Sequence, residues 1–276
     1  SFPTRRSSDL IVSIILELGQ KLDRKVVFIS RSDSTLRGHY PLEVMVIQDL
    51  WQNAYGCNID GHIIVPAFPE GGRFTIDDVH YVEEGELLVP AGQTEFARDP
   101  VFGYVSSDLR AWVEEKSEGH WRSEEVVSLS LETIRCGGPS TIAQYLEQVS
   151  GGKPVVVNAV SYRDLDVLVQ GLQKAEAVGK HFIYRTASSF PKVYGGIGDK
   201  PLLTSQDIYQ EEEVQGSGGL VVVGSHVQRT NQQLLTLKER GYKVIEMDVR
   251  RILDSGNETE LADEVGLEVE RMIKSN

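Results

Sequence analysis

Arg31-Ser32-Asp33-Ser34-Thr35-Leu36-Arg37-Gly38 lies between two segments of different periodicity. The apolar run at 26–29 is rich in β-branched residues, which predicts a buried strand. After the octapeptide, Pro41 opens a segment with apolar residues at helical spacing, which predicts a helix that ends near Tyr55. We therefore predict a strand-to-helix turn at the carboxyl end of a parallel sheet, where α/β proteins usually bind ligands.

The side chains of this turn suit an anionic ligand that carries hydroxyl groups. Arg37 could hold a carboxylate or phosphate through two parallel hydrogen bonds. Asp33 could accept hydrogen bonds from sugar hydroxyls, and the N-terminus of the following helix favours an anion. The alternative is that Asp33 and Ser34 cap the helix while the arginines are solvated.

Two more arginines follow predicted strands. Arg73 ends a loop of Pro and Gly residues after the apolar run at 63–65, and Arg185 follows the run at 182–184. Because parallel strands end at the same edge of a sheet, we expect Arg37, Arg73 and Arg185 to approach one another there. An anion pocket is the functional interpretation of this repetition.

Strand and helix patterns alternate through most of the chain, which predicts an α/β fold. We expect a three-layer arrangement, with a mostly parallel sheet and helices on both faces. Residues 73–88 instead alternate between apolar and polar side chains around turn residues, which predicts a small antiparallel β excursion. Further strands are expected at 126–131, 154–158 and 242–247, with a strand and turn at 220–225. Further helices are expected at 11–22, 140–149 with the Ser140 hydroxyl as its cap, 164–178, 228–240 and 257–274.

Composition excludes several classes of protein. The 276 residues carry a net charge of -13 without a basic stripe, which argues against a nucleic-acid surface. No apolar run approaches the roughly 20 residues of a membrane span. Cys57 and Cys136 are the only cysteines and lack disulfide or metal spacing, so we expect a cytoplasmic protein.

Five blocks, in chain order, resemble the motifs of the four-carbon acid sugar kinases. They are DSTLRG at 33–38, PAFPEGGR at 66–73, TEFARDP at 94–100, RTASSF at 185–190, and GSH at 224–226 followed by Thr230 and Gln233. The resemblance covers most of the family's substrate half and the start of its nucleotide half. It implies a sugar-acid-binding α/β domain at 11–215 and an incomplete nucleotide-binding α/β domain at 216–276. Residues 1–10 look like a non-native leader.

The resemblance also implies the reaction, which is transfer of the ATP γ-phosphoryl group to a hydroxyl of a four-carbon sugar acid. The expected cofactors are ATP and Mg²⁺, and the expected partner is a small anionic sugar acid. The substrate-binding candidates are Asp33, Ser34, Arg37 and Arg73, with Arg185 as a further one. Ser225 is the candidate on the nucleotide side, and the general base is not identified.

Two alternatives to a kinase stay open. The family's Asp-Asp-x-Thr-Gly turn is absent from the sequence, which favours a non-catalytic fragment that binds sugar acids. A hydrolase built on Ser225 and His226 is the other alternative. It is disfavoured because the Gly-x-Ser-x-Gly spacing of a nucleophile elbow is not met.

Overall fold

The computed structural model describes residues 5–208, 219–225, 227–255 and 258–274. It divides into two compact units, which we call unit 1 (residues 1–199) and unit 2 (residues 200–276). Most of the secondary structure, and all of the strands among the described residues, belongs to unit 1.

Unit 1 combines parallel strands, helices and a small separate sheet. Its strands are β1 Phe28–Arg31, β2 Gly61–Val65, β3 Arg73–Ile76, β4 Val79–Glu84, β5 Leu87–Pro90, β6 Val127–Leu129, β7 Lys153–Val157 and β8 Phe182–Thr186. Its helices are α1 Arg5–Lys21, α2 Leu42–Tyr55, α3 Leu109–Lys116, α4 Gly138–Glu147, α5 Tyr162–Ala177 and α6 Ser189–Tyr194.

The main sheet has the strand order β1-β8-β2-β7-β6, and all of its pairings are parallel. Register partners include Ser30 with Arg185 and Ile64 with Val156. The parallel arrangement confirms the predicted fold class. It also brings the loops that follow β1, β8, β2 and β7 to one side of the sheet, which we call the carboxyl edge.

Helices cover both faces of this sheet, as the alternation of side chains along each strand requires. On one face, Ile64 of β2 packs in a core with residues of α1, α2 and α3. On the other face, its neighbours Ile63 and Val65 pack in a second core with α4, α5 and α6. The result is the expected three-layer arrangement.

The small sheet β3-β4-β5 is antiparallel and confirms the predicted excursion. Asp77 and Asp78 form the tight turn between β3 and β4, with φ angles of 49° and 63°. Such turns favour aspartate among the non-glycine residues. Isolated bridges join Thr75 to Ala159 and Val79 to Asp108, so the small sheet is attached beside the carboxyl edge.

Some element boundaries differ from the predicted ones. Helix α1 begins at Arg5 rather than at residue 11. Helix α4 begins at Gly138, directly after a π-helical turn over Thr133–Gly137, so the Ser140 hydroxyl does not cap it. Helix α3 has no counterpart in the sequence analysis, although its N-cap Asp108 accepts hydrogen bonds from two backbone amides in the usual way.

Unit 2 is helical in its described part, and two predicted strands are wrong there. Its helices are α7 Ser205–Ile208, α8 Gln228–Glu239, α9 Val249–Ser255 and α10 Glu258–Lys274. Residues 220–225 and 242–247 were expected to be strands but are irregular and mostly exposed. An apolar run becomes a strand only where a neighbour accepts its backbone hydrogen bonds, and the described residues offer neither segment such a neighbour.

Candidate functional site

The turn after β1 is organised around the Asp33 carboxylate. Asp33 accepts hydrogen bonds from the Thr35 amide at 3.2 Å and the Thr35 hydroxyl. It also accepts two from Arg37, 2.9 Å from Nε and 3.3 Å from Nη2. Burial raises the pKa of Asp33, but the hydrogen bonds from Arg37 and Thr35 outweigh this and hold that pKa below its ordinary value. Asp33 is therefore an ionised group that fixes the orientation of Arg37.

Arg37 and Arg73 both contact the ring of Phe96. The guanidinium carbon of Arg37 lies 5.2 Å from the ring centroid and that of Arg73 lies 5.5 Å from it. Both distances fit cation–π contacts. Phe96 belongs to a short 3-10 turn, Glu95–Arg98. We call Arg37, Arg73 and Phe96 the Phe96 cluster.

Acidic side chains compensate the positive charge of this cluster. Besides the Asp33 pair, Arg37 Nη1 lies 3.5 Å from Asp99 Oδ2. The other Asp99 oxygen accepts the amides of Val101 and Phe102, each at 2.9 Å. Those backbone hydrogen bonds, Phe102 first, lower the pKa of Asp99. Asp33 and Asp99 thus offset the charge of Arg37, so a second guanidinium can contact the same ring.

Ser34 is held through its backbone. Its carbonyl oxygen lies 2.8 Å from His80 Nε2, while His80 Nδ1 lies 3.0 Å from the Thr75 hydroxyl. Burial lowers the pKa of His80 to about 4, so the ring is neutral near pH 7. A neutral ring donates to Ser34 from Nε2 and accepts from Thr75 at Nδ1. This chain of contacts joins the small sheet to the turn after β1.

Arg185 lies beneath the turn rather than beside the Phe96 cluster. Its side chain is only 1% exposed, and its Nε donates to Glu43 at 2.9 Å. Nη2 donates to the Arg37 carbonyl oxygen at 3.2 Å. Gly38 approaches the same guanidinium so closely that a Cβ there would lie 3.3 Å from Nη2. Of the three predicted arginines, the structure thus brings two together and places the third as a support.

A carboxylate that the sequence analysis did not single out lies at the same edge. Glu70 accepts the Tyr162 hydroxyl at Oε1 and the Ser189 hydroxyl at Oε2, the latter at 3.2 Å. The ammonium of Lys192 lies 4.3 Å above the Tyr162 ring. We call Glu70, Tyr162 and Ser189 the Glu70 cluster. The sequence signal for Glu70 was its position in the same motif as Arg73. The signal for Phe96 was its position in the block at 94–100.

Ser225, the candidate on the nucleotide side, is exposed in unit 2. Its hydroxyl lies 3.2 Å from the Thr230 hydroxyl and accepts the Val227 amide at 3.5 Å. It therefore lies at the N-terminus of α8, whose unpaired amides favour anions. His226, the other member of the hydrolase alternative, lies outside the described residues.

The described ranges contain neither a cluster of metal-ligating side chains nor a helix that could span a membrane. No three His, Cys, Asp or Glu side chains come together there as a metal-binding group. None of the helices described is both long enough and apolar enough to cross a bilayer.

Comparison with solved structures shows the fold. A Salmonella typhimurium LT2 protein with the provisional name tRNA synthase is 18% identical at a TM-score of 0.58, over 100% of this chain and 59% of that protein. A Bordetella bronchiseptica protein with a domain of unknown function, solved with citrate as a domain-swapped dimer, is 20% identical at 0.49, over 95% and 56%. A Haemophilus influenzae protein is 19% identical at 0.48, over 82% and 50%. The chain thus spans only half to three fifths of these proteins.

Comparison with family models identifies two domains in the chain. No curated protein matches it significantly. Residues 2–194 match the model of a sugar-binding N-terminal domain, and residues 220–276 match that of a nucleotide-binding C-terminal domain. The first match covers more than half of the sequence and contains the Phe96 cluster. The chain therefore belongs to the family that joins these two domains, the four-carbon acid sugar kinase family that its motifs resemble.

Proposed function

We propose that this chain binds a small hydroxylated carboxylic acid, and that the protein phosphorylates a four-carbon sugar acid of the tetronate or 3-oxo-tetronate type with ATP. The observation that carries the proposal is the convergence of Arg37 and Arg73 on Phe96 at the carboxyl edge. Two guanidinium groups that contact the same ring offer charged N–H donors, which a carboxylate accepts in charge-assisted hydrogen bonds. The sugar-binding family match over the same residues supports this assignment.

The acid binds to those N–H groups of Arg37 that do not contact Asp33 or Asp99. A guanidinium has five N–H donors, and the contacts to Asp33 and Asp99 engage three of them. Asp33 orients the fork before the ligand arrives, which lowers the entropic cost of binding. In this proposal Asp33 positions Arg37, Arg73 supplies the second guanidinium, and Arg185 supports the turn from below. The Ser34 side chain remains a proposed substrate contact.

The nucleotide side of the proposal rests on unit 2. Its match to a nucleotide-binding domain is consistent with ATP, and the Ser225 hydroxyl at the N-terminus of α8 fits a phosphate oxygen. Mg²⁺ in such reactions is held largely by the phosphates themselves, so it needs few protein carboxylates. Bound Mg-ATP supplies the phosphoryl group, and the contribution of the protein is positioning and charge neutralisation.

The test is calorimetric titration of the chain with erythronate and threonate stereoisomers, with and without Mg-ATP, followed by ³¹P NMR for a phosphate monoester. We expect one stereoisomer to bind, and a longer chain that contains the complete nucleotide-binding domain to form the monoester. Binding without monoester formation in that longer protein would favour the non-catalytic alternative. Binding of none of the acids would contradict the proposal.

A further inference from the structure

The Glu70 cluster is a second polar group at the carboxyl edge, and it lies beside the loop that carries Arg73. Glu70 belongs to the 3-10 turn Pro69–Gly71, and the Arg73 guanidinium donates to the Gly71 carbonyl at the end of that turn. Tyr162 and Ser189 begin α5 and α6, which follow β7 and β8, the two strands that flank β2 in the main sheet. A single loop thus presents a guanidinium and a carboxylate at the same edge.

The Glu70 carboxylate has acceptor capacity left after its internal contacts. Its two oxygens accept one hydroxyl each, from Tyr162 and Ser189, whereas a carboxylate can accept about four hydrogen bonds. Desolvation raises the pKa of Glu70, but the Tyr162 hydrogen bond, with the others, lowers it overall, so the group is ionised at neutral pH. Glu70 is exposed, while Ser189 beneath it is buried. An oriented, ionised and accessible carboxylate is the acceptor that a ligand hydroxyl needs.

A buried hydroxyl on β8 adds a second observation. Thr186, the last residue of β8, is fully buried, and its side-chain oxygen has no hydrogen-bond partner among the described residues. Thr186 lies on the same face of the strand as Tyr184, which stacks on Phe190 of α6. The Thr186 hydroxyl therefore lies on the face of the main sheet that α4, α5 and α6 cover, which is also the face on which Ser189 lies.

We propose that the Glu70 cluster is the hydroxyl-recognition subsite of the acid-binding site. This inference rests on the proposed function. Arg37 and Arg73 bind the carboxylate end of the ligand, and Glu70 accepts hydrogen bonds from hydroxyls at its other end. The subsite makes the protein selective for polyhydroxy acids over deoxy acids of the same length. Its chemistry also excludes dicarboxylates as preferred ligands, because Glu70 would repel a second carboxylate.

The experiment compares 2,3,4-trihydroxybutanoate with 2-hydroxybutanoate by NMR titration of the whole chain. The two ligands share the carboxylate and differ in the hydroxyls that Glu70 would accept. In Glu70→Gln, affinity for the trihydroxy acid should fall about tenfold or more, as expected for loss of a charged acceptor. Affinity for 2-hydroxybutanoate should change less than twofold, and succinate should bind more tightly than to the wild type.

Glu176→Gln is the matched control. Glu176 also accepts two hydroxyls, from Tyr184 at 2.6 Å and Tyr194 at 2.9 Å, but it lies at the other end of α5. This variant should change stability without changing the ratio of the two affinities. If Glu70→Gln binds the two acids with the same ratio of affinities as the wild type, whether or not both bind more weakly, the subsite is overturned while the proposed function stays intact. Failure of both acids to bind the wild type would instead overturn the proposed function.

Discussion

At the scale of single residues, the ring of Phe96 holds the two arginines in place. Each of these partly buried cation–π contacts contributes about 0.5–1 kcal/mol, so the ring supplies about 1–2 kcal/mol of preorganisation for the pair. We predict that Phe96→Leu weakens sugar-acid binding about five- to thirtyfold, while Phe96→Tyr stays within about threefold of the wild type. Calorimetric titration measures both affinities. Equal affinities in Phe96→Leu and the wild type would show that the ring is only packing.

Glu43 neutralises the buried charge of Arg185. The Arg185 side chain is 1% exposed and that of Glu43 is 15% exposed, so removal of the carboxylate leaves a guanidinium in a dry environment. We predict that Glu43→Ala lowers the free energy of unfolding by about 3–5 kcal/mol, as measured by urea denaturation. Glu17→Ala is the control, because it breaks an exposed pair with Lys21. A loss in Glu43→Ala no larger than in the control would contradict this.

The sequence predicted the surroundings of Arg37 better than those of Arg185. Arg37 lies in a turn with its own acidic partner four residues away, so its exposure at the carboxyl edge was predictable. The strand before Arg185 was predicted to end at residue 184, whereas β8 continues to Thr186. Those two additional residues turn Arg185 from a loop residue into a buried strand residue. Strand length depends on pairing with β1 and β2, which a single sequence does not reveal.

At the scale of elements, Asn158 attaches the small sheet to the main one. Its side chain accepts the Asp78 amide and donates to the Asp78 carboxylate, both at 2.7 Å, and donates to the Leu129 carbonyl at 3.1 Å. We predict that Asn158→Ala lowers the free energy of unfolding by about 1–3 kcal/mol. It should also accelerate amide exchange in β3, β4 and β5 while β7 stays protected, because the loss is local.

Hydrogen exchange followed by mass spectrometry measures this difference. Asn53→Ala, at an exposed position of α2, is the control and should leave exchange in all strands unchanged. Equal acceleration in β7 and in the small sheet would show that Asn158 supports the whole fold instead of this attachment.

Elements with their own local signals were the predictable ones. Turn residues and alternation marked the small sheet, and apolar runs between helical patterns marked β2, β7 and β8. Residues 220–225 show the opposite case, because the same kind of run forms no strand where no pairing is described. The Phe96 and Glu70 clusters depend on contacts between residues far apart in the chain, such as Glu70 with Ser189, which periodicity does not encode.

At the scale of the molecule, two buried histidines make stability depend on pH. Burial lowers the pKa values of His62 and His80 to about 4, well below the ordinary value of 6.5. Between pH 6.5 and 4 the unfolded chain binds protons that the folded chain refuses, so stability falls as the pH falls. We predict a loss of about 3 kcal/mol per histidine across this window, measured by urea denaturation.

Substitution separates this effect from that of the carboxylates. The lowered pKa of Asp33 stabilises the fold above its unfolded value of 3.8, and that contribution is lost only as the pH falls further. His80→Gln should therefore flatten the dependence between pH 6.5 and 4 by about half, because His62 remains. A profile in His80→Gln as steep as that of the wild type would contradict the assignment.

The central claim is that Arg37 and Arg73 bind the carboxylate of a sugar acid at the carboxyl edge. The most direct measurement is calorimetric titration of wild type, Arg37→Gln and Arg73→Gln with the tetronate that binds, after circular dichroism has shown that each variant is folded. Loss of a charge-assisted hydrogen-bond donor should weaken binding at least about tenfold in each variant. Wild-type affinity in both folded variants would contradict the account and place the acid elsewhere in the molecule.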